Sequence, residues 1–231
     1  MNNYFVILAA GKSKRFSTKI PKQFFEYKNK EIIDHSIEKS LASKLFKKIL
    51  IVTNNLKHLK KKKYPKSISV IKRHQKHVDW ENDKSIDSSP VEDMLFDFCK
   101  TLDRSEIVVL THITSPFLKK QTILDAVDML LNDQNSKSIH SVHKIQDFVW
   151  VKKGNETSPV NFQIDRVQQT QDLPPIFISK GAFFIAKAGD ILDQRKRLPE
   201  PLIFFSLDHV QSVEIDNFED LEFAKLLKEK L

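Results

Sequence analysis

With 231 residues, 40% of them hydrophobic and 29% charged, the chain has the make-up of a folded protein rather than a disordered one. A formal charge of +8 admits phosphorylated or other anionic partners, and a single cysteine, Cys99, excludes an internal disulfide framework. No apolar run approaches the ~20 residues that cross a bilayer, and the opening MNNYFVILAAGK lacks the basic lead of a secretion signal, so a cytoplasmic protein without a membrane partner is expected.

YFVILAA, from Tyr4, is a short continuous apolar run of the kind that forms a parallel strand buried on both faces. KEIIDHSIEKSLASK then sets Ile33, Ile37 and Leu41 at helical spacing, and KKILIVT and SISVIK read as strands. PVEDMLFDFCKTL carries Val91, Met94, Leu95, Phe98 and Leu102 on a helical stripe, with Pro90 at its start. EIVVLTHI predicts a strand, QTILDAVDMLLN a helix, KSIHSVHKI, GAFFIAK and VQSVEI further strands, and NFEDLEFAKLLKEKL an amphipathic closing helix. Between Gln146 and Lys180 the rhythm breaks at Pro159, Pro174 and Pro175, which predicts an arm-like excursion. The element order predicts the α/β class: one domain over 1–231, with a mostly parallel sheet and helices on both faces.

Ligands in such sheets bind beyond the carboxyl ends of the strands, which draws Ala9 to Arg15, His112 to Pro116 and Asp216 toward one crevice. The opening loop VILAAGKSKRFSTKIPKQF has one glycine, Gly11, among Lys12, Lys14, Arg15, Lys19 and Lys22. Backbone N–H groups at Gly11 with Lys12, Arg15 and Lys22 suit a triphosphate, or the segment is a basic surface turn. It is neither a Walker loop nor G-x-G-x-x-G. In VEID, Glu214 and Asp216 alternate along an expected strand and either converge on one Mg²⁺ or face solvent. In THITSPF, Thr114 and Ser115 offer hydrogen bonds beside a turn stiffened by Pro116, and His112 is either a ligand contact or a structural hydrogen-bonder. His74, His77, His140 and His143 have no metal-site spacing, and Ser13, Ser115 and Cys99 have no nucleophile context. The lysine run from Leu56 to Lys66 reads as a solvated face, without the aromatic pattern of a nucleic-acid binder.

Taken together, these segments resemble a known family. The opening loop is similar to the nucleotide-binding opening of sugar nucleotidyltransferases, notably the PKQ-containing cytidylyltransferases of the methylerythritol phosphate type. SLASKLFKKILIVTNN, VVLTHITSPFL, TQDLPPIFISKGAFFI and SVEIDNFEDLEFAKLL resemble, in order, segments of the acylneuraminate cytidylyltransferases, which make CMP-activated sialic acids. The resemblance implies a Rossmann-like nucleotidyltransferase fold, CTP and a sugar acid as substrates, Mg²⁺, and a homodimer whose arms reach the partner's site. It implies catalytic roles for Lys22, Arg15 and Asp216, and nucleotide binding by Leu8, Ala9, Ala10, Gly11, Lys12, Arg15, Lys22, Thr114 and Ser115. It further implies substrate contacts at His112, Gln171 and Lys180, and a metal held by Asp216 and Glu214. Thr170, Lys180, His112 and Ile113 depart from the family's arginine, asparagine, glutamine and proline at the matching positions. An acceptor of the polyol or sugar phosphate type, a non-catalytic nucleotide-binding module and a nucleic-acid binder are the alternatives.

Overall fold

The computed structural model describes residues 2–10, 16, 20–75 and 90–228. Its centre is a seven-stranded sheet in the order β11-β7-β10-β6-β1-β4-β5. The strands are β1 (Asn3–Ala9), β4 (Phe46–Thr53), β5 (Ile68–Lys72), β6 (Ile107–His112), β7 (Ser138–Ile145), β10 (Ile176–Lys187) and β11 (Leu202–Leu207). The short pairs β2 (Glu26–Tyr27) with β3 (Lys30–Glu31), and β8 (Trp150–Lys153) with β9 (Glu156–Pro159), form two small hairpins. Every neighbour in the large sheet runs parallel except β10, which is antiparallel to both β6 and β7.

The two-residue period of β1 divides the interior. Phe5, Ile7 and Ala9 join Ile49, Ile51, Val109, Phe183 and Ile185 under α1 (Ile32–Ser43), α4 (Lys120–Asn132) and α6 (Phe218–Lys228). Val6, Val52, Val108, Leu110 and Phe184 face the other way, onto Leu95, Phe96 and Cys99 of α3 (Pro90–Cys99) and Ile191 of α5 (Ala188–Gln194). A one-turn α2 (Leu56–Leu59) follows β4. This is the expected α/β arrangement, with helices on both faces. Among the described residues no helix is long and apolar enough to cross a membrane.

Two expectations need correction. VQSVEI is not a strand: residues 209–212 are turns and 213–216 are irregular. The cause is Asp208, whose carboxylate accepts from the Gln211 N–H at 2.7 Å and from its side-chain amide at 2.9 Å, an Asx-type turn that outcompetes a ladder. The last strand is instead LIFFSL, β11 at the sheet edge, absent from the sequence-based order. The arm-like stretch contains the β8–β9 hairpin, which turns at Gly154 with φ +61°. Ile7 has no solvent exposure, so Ile7→Ala should cost about 2–5 kcal/mol of stability; a urea midpoint matching wild type would show that β1 is not the core strand described.

Candidate active site

The carboxyl end of β1 is pinned before the basic loop begins. Gln23 Nε2 donates to the Ala9 carbonyl at 3.2 Å and Thr53 Oγ1 at 3.0 Å. The Ala10 carbonyl accepts from Asn54 Nδ2 at 3.0 Å and from Arg73 Nη1 at 3.3 Å. Gln23 is the glutamine of the PKQ sequence and is 1% exposed, so it serves as a strut beneath the loop. Gly11, Lys12, Ser13, Lys14, Arg15 and Lys19 lie outside the described residues, as does His77.

Lys22 opens a 3-10 turn (Lys22–Phe24) after Pro21. Its ammonium donates to Asp216 Oδ1 at 2.6 Å, across 194 residues of chain. Asp216 belongs to no strand, yet three features fix it. Ile215 is fully buried, and its N–H donates to the Thr114 carbonyl at 2.8 Å. At the start of α6, Asn217 Oδ1 accepts from the Asp220 N–H at 2.9 Å. Asp220 Oδ2 in return accepts from the N–H groups of Asp216 and Asn217, a capping box in which both partners are short. The sequence NFED carries that box.

Thr114 and Ser115 are both buried at the turn after β6, and Leu8 sits opposite His112 in the β1–β6 register. Lys39 of α1 donates its ammonium to the Ser115 carbonyl at 2.8 Å. Burial, reinforced by the nearby Lys28 charge, pushes Lys39 down to about 7. The Ser115 hydroxyl and His112 Nε2 are buried without a hydrogen-bond partner among the described residues. Burial, with the Arg197 and Lys22 charges, pushes the His112 imidazole down to about 4, so it is neutral at pH 7.

Glu214 closes the other side. Its Oε1 accepts from the Gly181 N–H at 2.8 Å, and its Oε2 lies 3.6 Å from Lys180 Nζ. Burial raises its carboxyl above the usual range. The β7–β10 register shifts between Ser179 and Phe184, and this irregularity carries Lys180 and Gly181. A Cβ on Gly181 would lie 2.8 Å from His112 Nδ1 and 3.0 Å from Glu214 Oε1, which is the reason for glycine there. Leu8, Ala9, Ala10, Lys22, His112, Thr114, Ser115, Lys180, Glu214 and Asp216 therefore stand at one end of the sheet. Gln171, in an exposed 3-10 turn, is bonded to Gln146 through its carbonyl and to Gln169 through its side chain. Among the described residues no bond links it to this group. Among the described residues, no cluster of three His, Cys, Asp or Glu side chains is arranged for a metal either. Lys39 and Arg73 carried no motif signal; Gln23 did, inside PKQ, and Asn54 lay at the end of the quoted segment SLASKLFKKILIVTNN.

The α/β sheet brings a lysine–aspartate pair to its carboxyl edge, where ligands of open α/β sheets bind. The chain belongs to the cytidylyltransferase family, whose model matches residues 4–230. It is 25% identical over 201 residues to the N-acylneuraminate cytidylyltransferase of Streptococcus agalactiae, covering 83% of this chain and 45% of that protein. It is 28% identical over 213 residues to the CMP-N,N'-diacetyllegionaminic acid synthase of Legionella pneumophila, covering 87% and 86%. The crystal structure of the 4-diphosphocytidyl-2C-methyl-D-erythritol synthase of Anaerococcus prevotii superposes with a TM-score of 0.67 at 14% identity, over 99% of this chain and 98% of that one, a likeness of fold. The chain spans about half the length, or less, of several curated relatives it matches.

Two outcomes test this geometry. Lys39 has a folded value near 7 against 10.5 in the unfolded chain, so between those pH values the unfolded state binds more protons and stability rises with pH. Urea titrations should show that rise in wild type and its loss in Lys39→Met; parallel curves would remove Lys39 from the account. Gly181→Ala should lose activity and about 1–3 kcal/mol of stability, because the methyl drives His112 from Glu214; wild-type behaviour would mean that the contact yields freely.

Proposed function

We propose that the protein transfers CMP from CTP to a sugar acid and releases pyrophosphate. The observation that carries this reading is the Lys22–Asp216 pair, 2.6 Å apart, at the end of β1 and beside the Thr114 turn. It joins a cation suited to phosphate oxygens with a carboxylate suited to a hard metal. In the proposed reaction the acceptor oxygen attacks the α-phosphate of CTP. The protein's part is to position both substrates and to neutralise charge. Thr114 and Ser115 border the nucleotide, and the unpartnered Ser115 hydroxyl is a hydrogen-bonding group for it. Lys22, with Lys12, Arg15 and the Gly11 N–H, holds the triphosphate in this reading.

Asp216 fits Mg²⁺, since its Oδ1 already holds a positive group in close contact. When bound, Mg²⁺ would neutralise charge developing on the phosphates. Glu214, at the family's second acidic position, has both oxygens turned toward Gly181 and Lys180, so Asp216 is the principal ligand of the pair. The dimer reading rests on the arm. Trp150 is 53% exposed and Val167 98%, and Phe148 and Trp150 pack edge-on against Phe162, 5.0 Å between ring centres in each pair. A second copy of the chain would cover that face. The alternative acceptor, a polyol or sugar phosphate, is favoured by the PKQF opening, whose Gln23 braces the Ala9 carbonyl.

Pyrophosphate release should occur with CTP and fall off with UTP, ATP and GTP; equal rates with CTP and UTP would overturn the cytidylyl assignment. Asp216→Ala should lower turnover about 10²–10³-fold, with an unchanged circular dichroism spectrum. Lys22→Ala should raise the KM for CTP roughly tenfold. Wild-type turnover in folded Asp216→Ala would take that residue out of the mechanism.

A further inference from the structure

The cleft has a second wall, beyond the Lys22–Asp216 pair. His112 ends β6, and Phe184 of β10 opposes both Leu110 of β6 and His140 of β7. Three neighbouring strands thus present His112, Phe184 and His140 on one face. The Phe184 ring stacks on His140 at 4.6 Å and lies 5.7 Å from His112. Over the same ring, 4.7 Å from its centre, lies the guanidinium of Arg197, from the turn after α5.

Arg197 is only partly engaged. Its Nε is 3.4 Å from Glu92, and its remaining N–H groups make no hydrogen bond among the described residues. His112 Nε2 is likewise buried and unpartnered, and a buried polar atom in that state is a place where a bound molecule completes the bonding. Arg197 is close enough that its charge holds both imidazoles below the ordinary histidine value, after burial as the main cause. A planar fork of donors and an unpartnered ring nitrogen therefore lie against one Phe184 ring, and the charges of Arg197 and Lys22 both reach that imidazole.

We infer that this wall reads the acceptor through a carboxylate: Arg197 takes the carboxylate in its fork, and His112 Nε2 takes a hydroxyl of the same molecule. The inference rests on the cytidylyl-transfer reading above. Arg197 is then a specificity-determining residue that no sequence motif marked. The charge balance favours a carboxylate over a phosphate. A phosphomonoester brings about −1.5 to −2 charges at pH 7, whereas Arg197 already shares its charge with Glu92 and Lys180 is turned to Glu214. Two neutral imidazoles add no positive charge. A monoanion with hydroxyl groups matches these surroundings, and the guanidinium fork matches its planar geometry.

The test is calorimetric titration with α,β-methylene-CTP, which cannot release pyrophosphate. The probes are N-acylneuraminate, N,N'-diacetyllegionaminic acid and 2-C-methyl-D-erythritol 4-phosphate, on wild type, Arg197→Gln and Arg197→Lys. One sugar acid should bind wild type, and the phosphate should not. Arg197→Gln should weaken that acid roughly tenfold or more while the Kd for the nucleotide stays unchanged, which also shows that the variant is folded. Arg197→Lys should recover only part, because an ammonium lacks the fork. The carboxamide of the same sugar should bind wild type and Arg197→Gln alike. Equal binding of the acid to wild type and Arg197→Gln, preference for the phosphate, or binding of neither acid would overturn the inference and leave cytidylyl transfer standing. Failure of the nucleotide itself to bind would instead overturn the cytidylyl reading, and this inference with it.

Discussion

The hydrogen bond from the Ile215 N–H to the Thr114 carbonyl, 2.8 Å long, joins two parts of the chain that no regular element connects. It borrows one ladder-like contact from the end of β6 and uses it to seat an irregular segment. Ile215 fills the core on one side of that bond. Glu214 and Asp216 flank it, and the capping box of α6 fixes the backbone immediately beyond. A turn induced by Asp208 ends regular structure just upstream, so the segment is held by this bond together with the contacts of Glu214 to the Gly181 N–H and of Asp216 to Lys22. The pairing of Lys22 with Asp216 therefore depends on a backbone bond and a buried isoleucine as much as on charge.

Around that seat, desolvation is the largest cause of the shifts of Glu214, His112 and Lys39. It raises Glu214 and lowers His112 and Lys39, in each case disfavouring the charged form. Water screens little in such surroundings, so the few close contacts between opposite charges count for more than they would on the surface. Each cation of this region is set against a carboxylate, Lys22 on Asp216, Lys180 on Glu214 and Arg197 on Glu92. The same low-dielectric setting makes the neutrality of His112 a structural property, suited to hydrogen bonding with uncharged groups.

The sheet's interior was legible because its signal is local. YFVILAA and EIVVLTHI are apolar on both faces, and only a strand covered on both sides uses such a run. PKQF and the residue pair Glu214 and Asp216 were legible as chemistry. The backbone that carries the acidic pair was not, since VQSVEI alternates like a strand and the competing Asp208 turn leaves no periodic trace. LIFFSL was missed for a related reason: it is a short edge strand between Pro201 and Asp208, with Phe204 left exposed. Arg197 and Lys39 act through long-range contacts, and a single sequence does not state which distant residues meet. Gly181 stood in a quoted segment, but its reason, the approach of His112 and Glu214 to one point, exists only in three dimensions.

The reversal of β10 gives the cleft its division of labour. A parallel strand delivers residues to the ligand edge as it leaves the core, whereas an antiparallel one delivers them as it enters. Lys180 and Gly181 therefore precede the buried Ala182–Ala186 run, and the arm lies directly upstream of them. One side, the nucleotide side in the proposed reading, is built from β1, β4 and β6 ends tied by backbone and buried side-chain bonds. The other side is built where the arm feeds into β10, beside a shifted register and a glycine. Under the proposed function, such an arrangement separates the part of the site that holds the nucleotide from the part free to suit different acceptors.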